Sequence, residues 1–258
     1  MMEMKSLGFI GGGRITRVIL QALANKQIKL SSVQVCDANP DVLKALGKQF
    51  PQIQTTGSCE TASKQEIVFI ALHPPVIMET LDQIKTSVSA DTQVVSLAPK
   101  ISIEKIASLL ATENIARMIP NATSFINEGY NPVSFSAGFS PNEKQSLLGM
   151  LKSLGKTFEV EESKLEAYAM VSAMLPTYFW FQWKEMQNLG SQMGLNEQES
   201  KETVQQTLLA AIDLLFNSEL SYNEVTDLIP VKPIGEQEAQ ISEIYRSKLM
   251  GLFQKIKP

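Results

Sequence analysis

A chain of 258 residues with 44% hydrophobic and 19% charged residues carries enough apolar material for a large core and most simply divides into two domains. Its formal net charge of −4, with no basic cluster, argues against nucleic acid as the main partner. Two cysteines, Cys36 and Cys59, make neither a disulfide framework nor a metal-binding cluster, so no metal is expected.

The N-terminus has no basic region followed by an apolar signal core, which points to a cytoplasmic rather than a secreted protein. The most apolar later stretch, residues 168–183, contains Pro176 and is too short for a membrane span.

Residues 7–10 form a short apolar run that leads directly into Gly11, Gly12 and Gly13, and a helical pattern over 15–24 follows at once. A strand, a glycine turn and a helix in this order open a dinucleotide-binding fold. The first glycine permits the tight turn, the next lets the backbone approach a pyrophosphate, and the helix N-terminus offers unpaired N–H groups to it. The pattern G-x-G-x-x-G is incomplete, since Thr16 stands where a third glycine would let helix and strand pack closely.

Further strands are expected at 33–36, 67–72, 93–97 and 115–118, with helices at 40–49, 75–84 and 103–111 between them. The run Ile67-Val68-Phe69-Ile70-Ala71-Leu72 lacks alternation, as a strand covered on both faces should. Cys36, inside a predicted buried strand, reads as a small core residue. The alternation of elements predicts a doubly wound parallel sheet with right-handed crossovers, a Rossmann fold. Residues 133–135 and 157–160 are candidate edge strands around a helix at 142–154.

After Glu161 the character changes. Segments 162–190, 197–217 and 236–256 read as helices, the first broken near Pro176, so an α/β domain over 1–161 is followed by an all-α domain over 162–258. Tyr178, Phe179, Trp180, Phe181 and Trp183 put large apolar groups on most faces of one helix. Such a helix is buried either within its own chain or between two subunits.

Asp37 closes the second strand, where a carboxylate accepts hydrogen bonds from the hydroxyls of an adenosine ribose. It would repel an additional phosphate, which leans the choice toward NAD(H) over NADP(H). The alternative role, capping the helix that starts at Pro40, suits Asn39 better.

His73, the only histidine, follows the buried strand directly and faces the ligand crevice, as a cofactor contact or as a plain structural residue. Ala98-Pro99-Lys100 and Pro120-Asn121 end later strands and line the same crevice, Asn121 offering both a donor and an acceptor. No Ser/His/Asp arrangement, acid pair or P-loop lysine is present, and no catalytic side chain is assigned. A bound cofactor would carry the hydride chemistry.

Several segments resemble the pyrroline-5-carboxylate reductase family over nearly the whole chain. Gly8-Phe9-Ile10-Gly11-Gly12-Gly13-Arg14-Ile15 is similar to the family's G-F-I-G-x-G-N-M, and Ala71-Leu72-His73-Pro74 to its A-V-K-P. Ser96 to Ile103 follows S-I-A-A-G-I-S-I, and Arg117-Met118-Ile119-Pro120-Asn121-Ala122 parallels R-x-M-P-N-T.

The resemblance implies an NAD(P)-binding domain, a helical dimerisation domain, a homodimer or higher homo-oligomer, and reduction of a cyclic imine bearing a carboxylate. It places Gly11, Gly12, Gly13 and the Arg14 and Ile15 amides at the pyrophosphate, Asp37 at the ribose and Ser58 by the adenine. Ala71, His73, Pro74 and Ala98 go to the nicotinamide ribose, and Asn121 near the reacting ring.

Departures from the family pattern concentrate in the second domain. The family's S-G-S-G-P-A-Y becomes Ser172-Ala173-Met174-Leu175-Pro176-Thr177-Tyr178, and a glutamate becomes Lys184. The carboxylate-holding S-P-G-G-T-T becomes Val231-Lys232-Pro233-Ile234-Gly235-Glu236, which loses hydroxyls and adjacent glycines. Asn121, Pro176, Tyr178, Lys184 and Lys232 remain as substrate-binding candidates. Two other readings stay open: a non-catalytic dinucleotide-binding sensor or scaffold, and a relative of the β-hydroxyacid dehydrogenases.

Overall fold

Short apolar runs that must be covered on both faces form the middle of a sheet. In the computed structural model, which describes residues 5–258, the first half of the chain reads β1 (Ser6–Ile10), α1 (Arg14–Asn25), β2 (Ser32–Cys36), α2 (Pro40–Gln49), β3 (Gln54–Thr56), α3 (Cys59–Ser63) and β4 (Ile67–Ile70). It continues through α4 (Pro74–Ile84), β5 (Gln93–Ser96), α5 (Ile103–Ala107), β6 (Ile115–Met118), β7 (Gly129–Phe135), α6 (Pro141–Leu151) and β8 (Gly155–Glu159).

The eight strands form one sheet in the order β3-β2-β1-β4-β5-β6-β7-β8. The chain reverses direction of travel across the sheet between β1 and β4. That is where an open α/β sheet leaves a ligand crevice at its carboxyl edge.

Burial on both faces explains why these runs lack alternation. Phe9 and Phe69 stack at 4.9 Å between centroids on the face covered by Ile19 and Leu23 of α1 and Leu147 of α6. Ile10, Val68 and Ile70 face the opposite layer, with Ile77 and Leu81 of α4 and Ile106 of α5. Successive strand residues thus feed two cores, and every residue of β4, β5 and β6 is buried.

The expected parallel sheet is present, with one antiparallel pair among the added edge strands. β6 and β7 pair antiparallel, with Met118 opposite Val133, because only a short 3-10 turn (Ala122–Ile126) joins them and no crossover is made. β7 then pairs parallel with β8, Gly129 opposite Gly155. β3 and α3 escape sequence reading because a three-residue polar edge strand and a five-residue helix carry no periodic signal.

The two cysteines need a correction. Cys36, at the end of β2, and Cys59, opening α3, form a disulfide with their Cα atoms 5.2 Å apart. The fold brings together two residues separated by 23 positions, which a count of cysteines cannot show.

The expected helix over 162–190 is composite. A 3-10 turn (Glu162–Lys164) leads to α7 (Leu165–Tyr168), a π-turn (Ala169–Ala173) and α8 (Leu175–Gln192), with Pro176 in the first turn where no N–H is needed. α9 (Glu197–Asn217), α10 (Tyr222–Asp227) and α11 (Glu238–Ile256) complete the chain. Reciprocal capping boxes, Asn196 with Glu199 and Ser221 with Glu224, start α9 and α10.

The chain separates into two units, one running to Ala173 with Phe253–Pro258 added, the other Met174–Leu252. Among the described residues no helix is long and apolar enough to cross a membrane, and no cluster of His, Cys, Asp and Glu is arranged to hold a metal.

Candidate functional site

The glycine turn gets its shape from backbone that other residues cannot follow. Gly11 has φ +104°, and a Cβ there would lie 2.5 Å from the Ala71 carbonyl oxygen. Its N–H donates to the Cys36 carbonyl at 2.8 Å, and the Ala71 N–H donates to the Ile10 carbonyl at 2.8 Å. The ends of β1, β2 and β4 are thereby locked together around the turn.

Thr16 takes the place of the third glycine without loss. It is fully buried, and its hydroxyl donates to the Gly11 carbonyl at 2.6 Å, tying α1 to the turn.

Gly13 differs from Gly11, since a Cβ on it would meet nothing within 4 Å. The first bond of α1 is from the Arg17 N–H to the Gly13 carbonyl at 3.2 Å, which leaves the first-turn amides without intrahelical acceptors. The open position at Gly13 and first-turn amides without intrahelical acceptors fit a pyrophosphate, with Arg14 and Ile15 supplying the helix N-terminus.

Asp37 sits beside this turn. Its carboxylate accepts from the Gly12 N–H at 2.7 Å and from the Asn39 N–H at 2.8 Å. Asn39, not Asp37, caps α2 by accepting from the Asp41 N–H. The carboxylate is held in place rather than consumed as a cap, and two oxygens with four lone-pair positions keep capacity for ribose hydroxyls. Ser58 precedes α3 without a side-chain cap, its N–H donating to the Thr56 hydroxyl.

His73 occupies the position before α4, is exposed and makes no side-chain cap, with Pro74 at the helix start. Ala71 is half-buried beside the glycine turn, whereas Ala98 is buried at the end of β5. The structure thus brings Gly11–Ile15, Asp37, Ala71, His73 and Ala98 to the carboxyl edge of one sheet.

Asn121 is 5% exposed and more committed than its sequence position suggested. Its side-chain oxygen accepts from the Thr123 N–H and hydroxyl, and its amide nitrogen donates to the Ser172 carbonyl and hydroxyl. These bonds cap the 3-10 turn after β6 and hold Ser172 there, so Asn121 fixes the chain where it leaves β6.

A buried ion cluster fixes the same end of the sheet. The Arg117 guanidinium, 1% exposed, pairs with Glu166 at 2.5 Å and Glu162 at 2.8 Å, and lies 3.5 Å from the Ala98 carbonyl. In the sequence Arg117 is one residue of the Arg117–Ala122 segment, with nothing local to mark its role. Its charge partners lie 45 and 49 residues away, beyond any local signal.

The remaining substrate candidates all lie in the second unit. Pro176, Tyr178 and Lys184 are on α8, and Lys232 lies in the exposed loop before α11, its carbonyl accepting from the Gly235 N–H. Tyr178 packs by Tyr245 at 6.2 Å between ring centroids, and burial pushes its phenol pKa above the ordinary 10.0.

A glycine turn at the carboxyl edge of a doubly wound sheet, followed by a helical unit, defines the class of two-domain NAD(P)-dependent oxidoreductases. Comparison with known proteins agrees. Residues 6–100 match the family model described as NADP oxidoreductase coenzyme F420-dependent, and residues 162–256 match the pyrroline-5-carboxylate reductase dimerisation model.

Pyrroline-5-carboxylate reductase of Haemophilus influenzae is 26% identical over 83% of this chain and 79% of its own length. That of Pasteurella multocida is 26% identical over 98% and 94%. The structure of Plasmodium falciparum pyrroline carboxylate reductase with NADP bound shares the fold at a TM-score of 0.78, with 19% identity over 99% of this chain and 96% of that one. Residues 162–256 thus resemble the dimerisation domain of pyrroline-5-carboxylate reductases, and the chain is similar to these enzymes over most of its length.

Proposed function

We propose that this protein is an NAD(P)H-dependent reductase acting on a carbon–nitrogen double bond, with 1-pyrroline-5-carboxylate, or a closely related small imine or oxo acid, as substrate. The observation that carries the reading is the turn at Gly11–Gly13, open at the Gly13 Cβ position, with a fixed carboxylate at Asp37 beside it. When bound, the cofactor supplies the hydride from its nicotinamide ring. The chain's own work is to orient it and to shape the crevice.

The amides of Gly13, Arg14 and Ile15 hold the pyrophosphate, Asp37 accepts the adenosine ribose hydroxyls, and Ser58 lies toward the adenine. Ala71, His73, Pro74 and Ala98 flank the nicotinamide ribose. Asn121 acts as a positioning residue, because its bonds to Thr123 and Ser172 fix the strand end beside the reacting ring. From the helical domain, Pro176, Tyr178, Lys184 and Lys232 serve the substrate. Tyr178 stays protonated at neutral pH and so acts as a donor.

The division into a cofactor domain over 1–161 and a helical domain over 162–258 is supported by the dimerisation match, which starts at residue 162. That match also supports a homodimer or higher homo-oligomer. Use of a nicotinamide cofactor suits a cytoplasmic location.

The reduced cofactor preferred is NADH. Residues 34–41, Gln34-Val35-Cys36-Asp37-Ala38-Asn39-Pro40-Asp41, include two carboxylates and no lysine or arginine, so an added ribose phosphate meets repulsion without a counter-charge. The expected kcat/KM favours NADH over NADPH, and Asp37→Ser narrows that ratio by about tenfold or more.

Fluorescence titration with both reduced cofactors, followed by absorbance assays with 1-pyrroline-5-carboxylate, tests the whole reading. Binding of neither cofactor overturns it. Binding without turnover of any small imine or oxo acid favours a sensor or scaffold instead.

A further inference from the structure

Three residues other than glycine have left-handed backbone among those described: Gln27, Asn127 and Lys100. Local structure accounts for two of them. Gln27 ends the turn after α1, its N–H donating to the Ala24 carbonyl. Asn127 follows a 3-10 turn and donates its side-chain amide to the carbonyls of Ala22 and Ser153.

Lys100, at φ 72°, has no such account. Its ammonium makes no hydrogen bond or ion pair with any described residue, and it is exposed. A Cβ-bearing residue disfavours this conformation, in which glycine is unstrained.

Buried residues flank Lys100 on both sides. Ala98 and Ile101 are 3% and 8% exposed, and the Ala98 carbonyl faces the buried Arg117 guanidinium. The peptide between them has little freedom, and it holds Lys100 on the loop that leaves the carboxyl end of β5.

β5 lies beyond β4 from the glycine turn, in the half of the sheet away from Asp37 and the adenosine. The segments following β4, β5 and β6 on this side are 71–75, 97–100 and 119–121. Among them Lys100 is the only lysine or arginine. Arg117 is buried and committed to Glu162 and Glu166.

We propose that Lys100 is the anion-binding residue of the nicotinamide half of the crevice and takes the carboxylate of the substrate. This rests on the reductase reading above. A strained, unpartnered cation on a clamped loop at the ligand edge of the sheet is placed to meet a negative group.

The test compares the wild type with Lys100→Gly, which suits the backbone, and Lys100→Arg, which keeps the charge. Substrates are 1-pyrroline-5-carboxylate and 1-pyrroline, which lacks the carboxylate. The expected result for Lys100→Gly is a KM for 1-pyrroline-5-carboxylate raised about ten- to a hundredfold. The KM for 1-pyrroline and the Kd for NADH stay unchanged, and Lys100→Arg restores most of the loss.

Equal changes for both substrates, or no change for either, overturn the proposal. A weakened NADH Kd assigns the lysine to a cofactor phosphate and overturns it too. If the wild type reduces neither compound, the reductase reading fails separately. Calorimetric titration of the NADH-loaded protein with L-proline and pyruvate then decides the lysine: binding lost in Lys100→Gly supports it, and binding that is absent or unaffected overturns it.

Discussion

The two units of this chain solve the burial problem in opposite ways. In the first, every residue of β4, β5 and β6 is buried, and helices on both faces complete two cores. In the second, α8 buries no residue and α9 only Ser200, while Phe181 and Phe216 stand 68% and 74% exposed. Such exposure of large apolar side chains along whole helices exceeds what single surface hydrophobes explain. The first unit is finished by one chain, whereas the second has the surface of an element that a further copy completes. Cofactor chemistry thus rests on a self-sufficient sheet, and assembly rests on helices that are unfinished alone.

The sharpest way to break this contrast is a charge on the unfinished face. Phe181→Glu is expected to dissociate the assembly to monomers by light scattering, with NADH binding by the first unit retained. If the same substitution unfolds the sheet, the two units are not independent in the way described.

Next in size, Arg117→Met leaves Glu166, 3% exposed in its side chain, without its counter-charge, and should destabilise the first unit by about 3–5 kcal/mol in denaturant melts. Arg117→Met combined with Glu166→Leu should recover most of that loss. A full loss in the double variant would mean that packing around Arg117, rather than the stranded charge, sets the cost.

Cys59→Ser opens a loop of 23 residues' separation and should cost about 3 kcal/mol in oxidising buffer. The difference from wild type should shrink sharply once a thiol reductant is added. An undiminished difference would show that the side chain matters through packing alone.

The smallest effect concerns the start of β1. Burial pushes Glu66 up, but the Ser6 N–H, Lys5 and the Ser6 hydroxyl outweigh it, so its pKa falls below the ordinary 4.5. A carboxyl depressed on folding adds stability above its unfolded value that is lost as pH falls through the folded one. Glu66→Gln should therefore flatten the decline in melting temperature just below pH 4.5 and leave the neutral-pH profile nearly parallel. Lys5 in the same cluster is affected oppositely, its pKa raised once the carboxylates of Glu66 and Glu143 overcome its burial.

Strong local signals made much of the first unit legible. The run over 67–70 reads as a doubly covered strand because every residue is apolar, and the turn at Gly11 reads as a turn because only glycine tolerates its φ. β3, α3 and α10 were not legible, being three, five and six residues long, although the Ser221–Glu224 capping box was a written sign of the last. At the candidate site, the glycines, Asp37 and His73 could be named from the sequence, and the fold brings them to one edge of the sheet. The sequence could not show that Asn121 spends its amide on Thr123 and Ser172, since Ser172 lies 51 residues on.

By itself, the sequence determined the order of the longer strands and helices, the glycine turn and its family resemblance, because these depend on residue type and near neighbours. Only the tertiary structure decided the Cys36–Cys59 bond, the Arg117–Glu162–Glu166 cluster and the antiparallel turn from β6 into β7. Each joins groups that the folded chain brings together, and no local pattern records such a meeting. The left-handed backbone of Lys100 belongs with them: a lysine is written in the sequence, but its positive φ between the buried Ala98 and Ile101 is not.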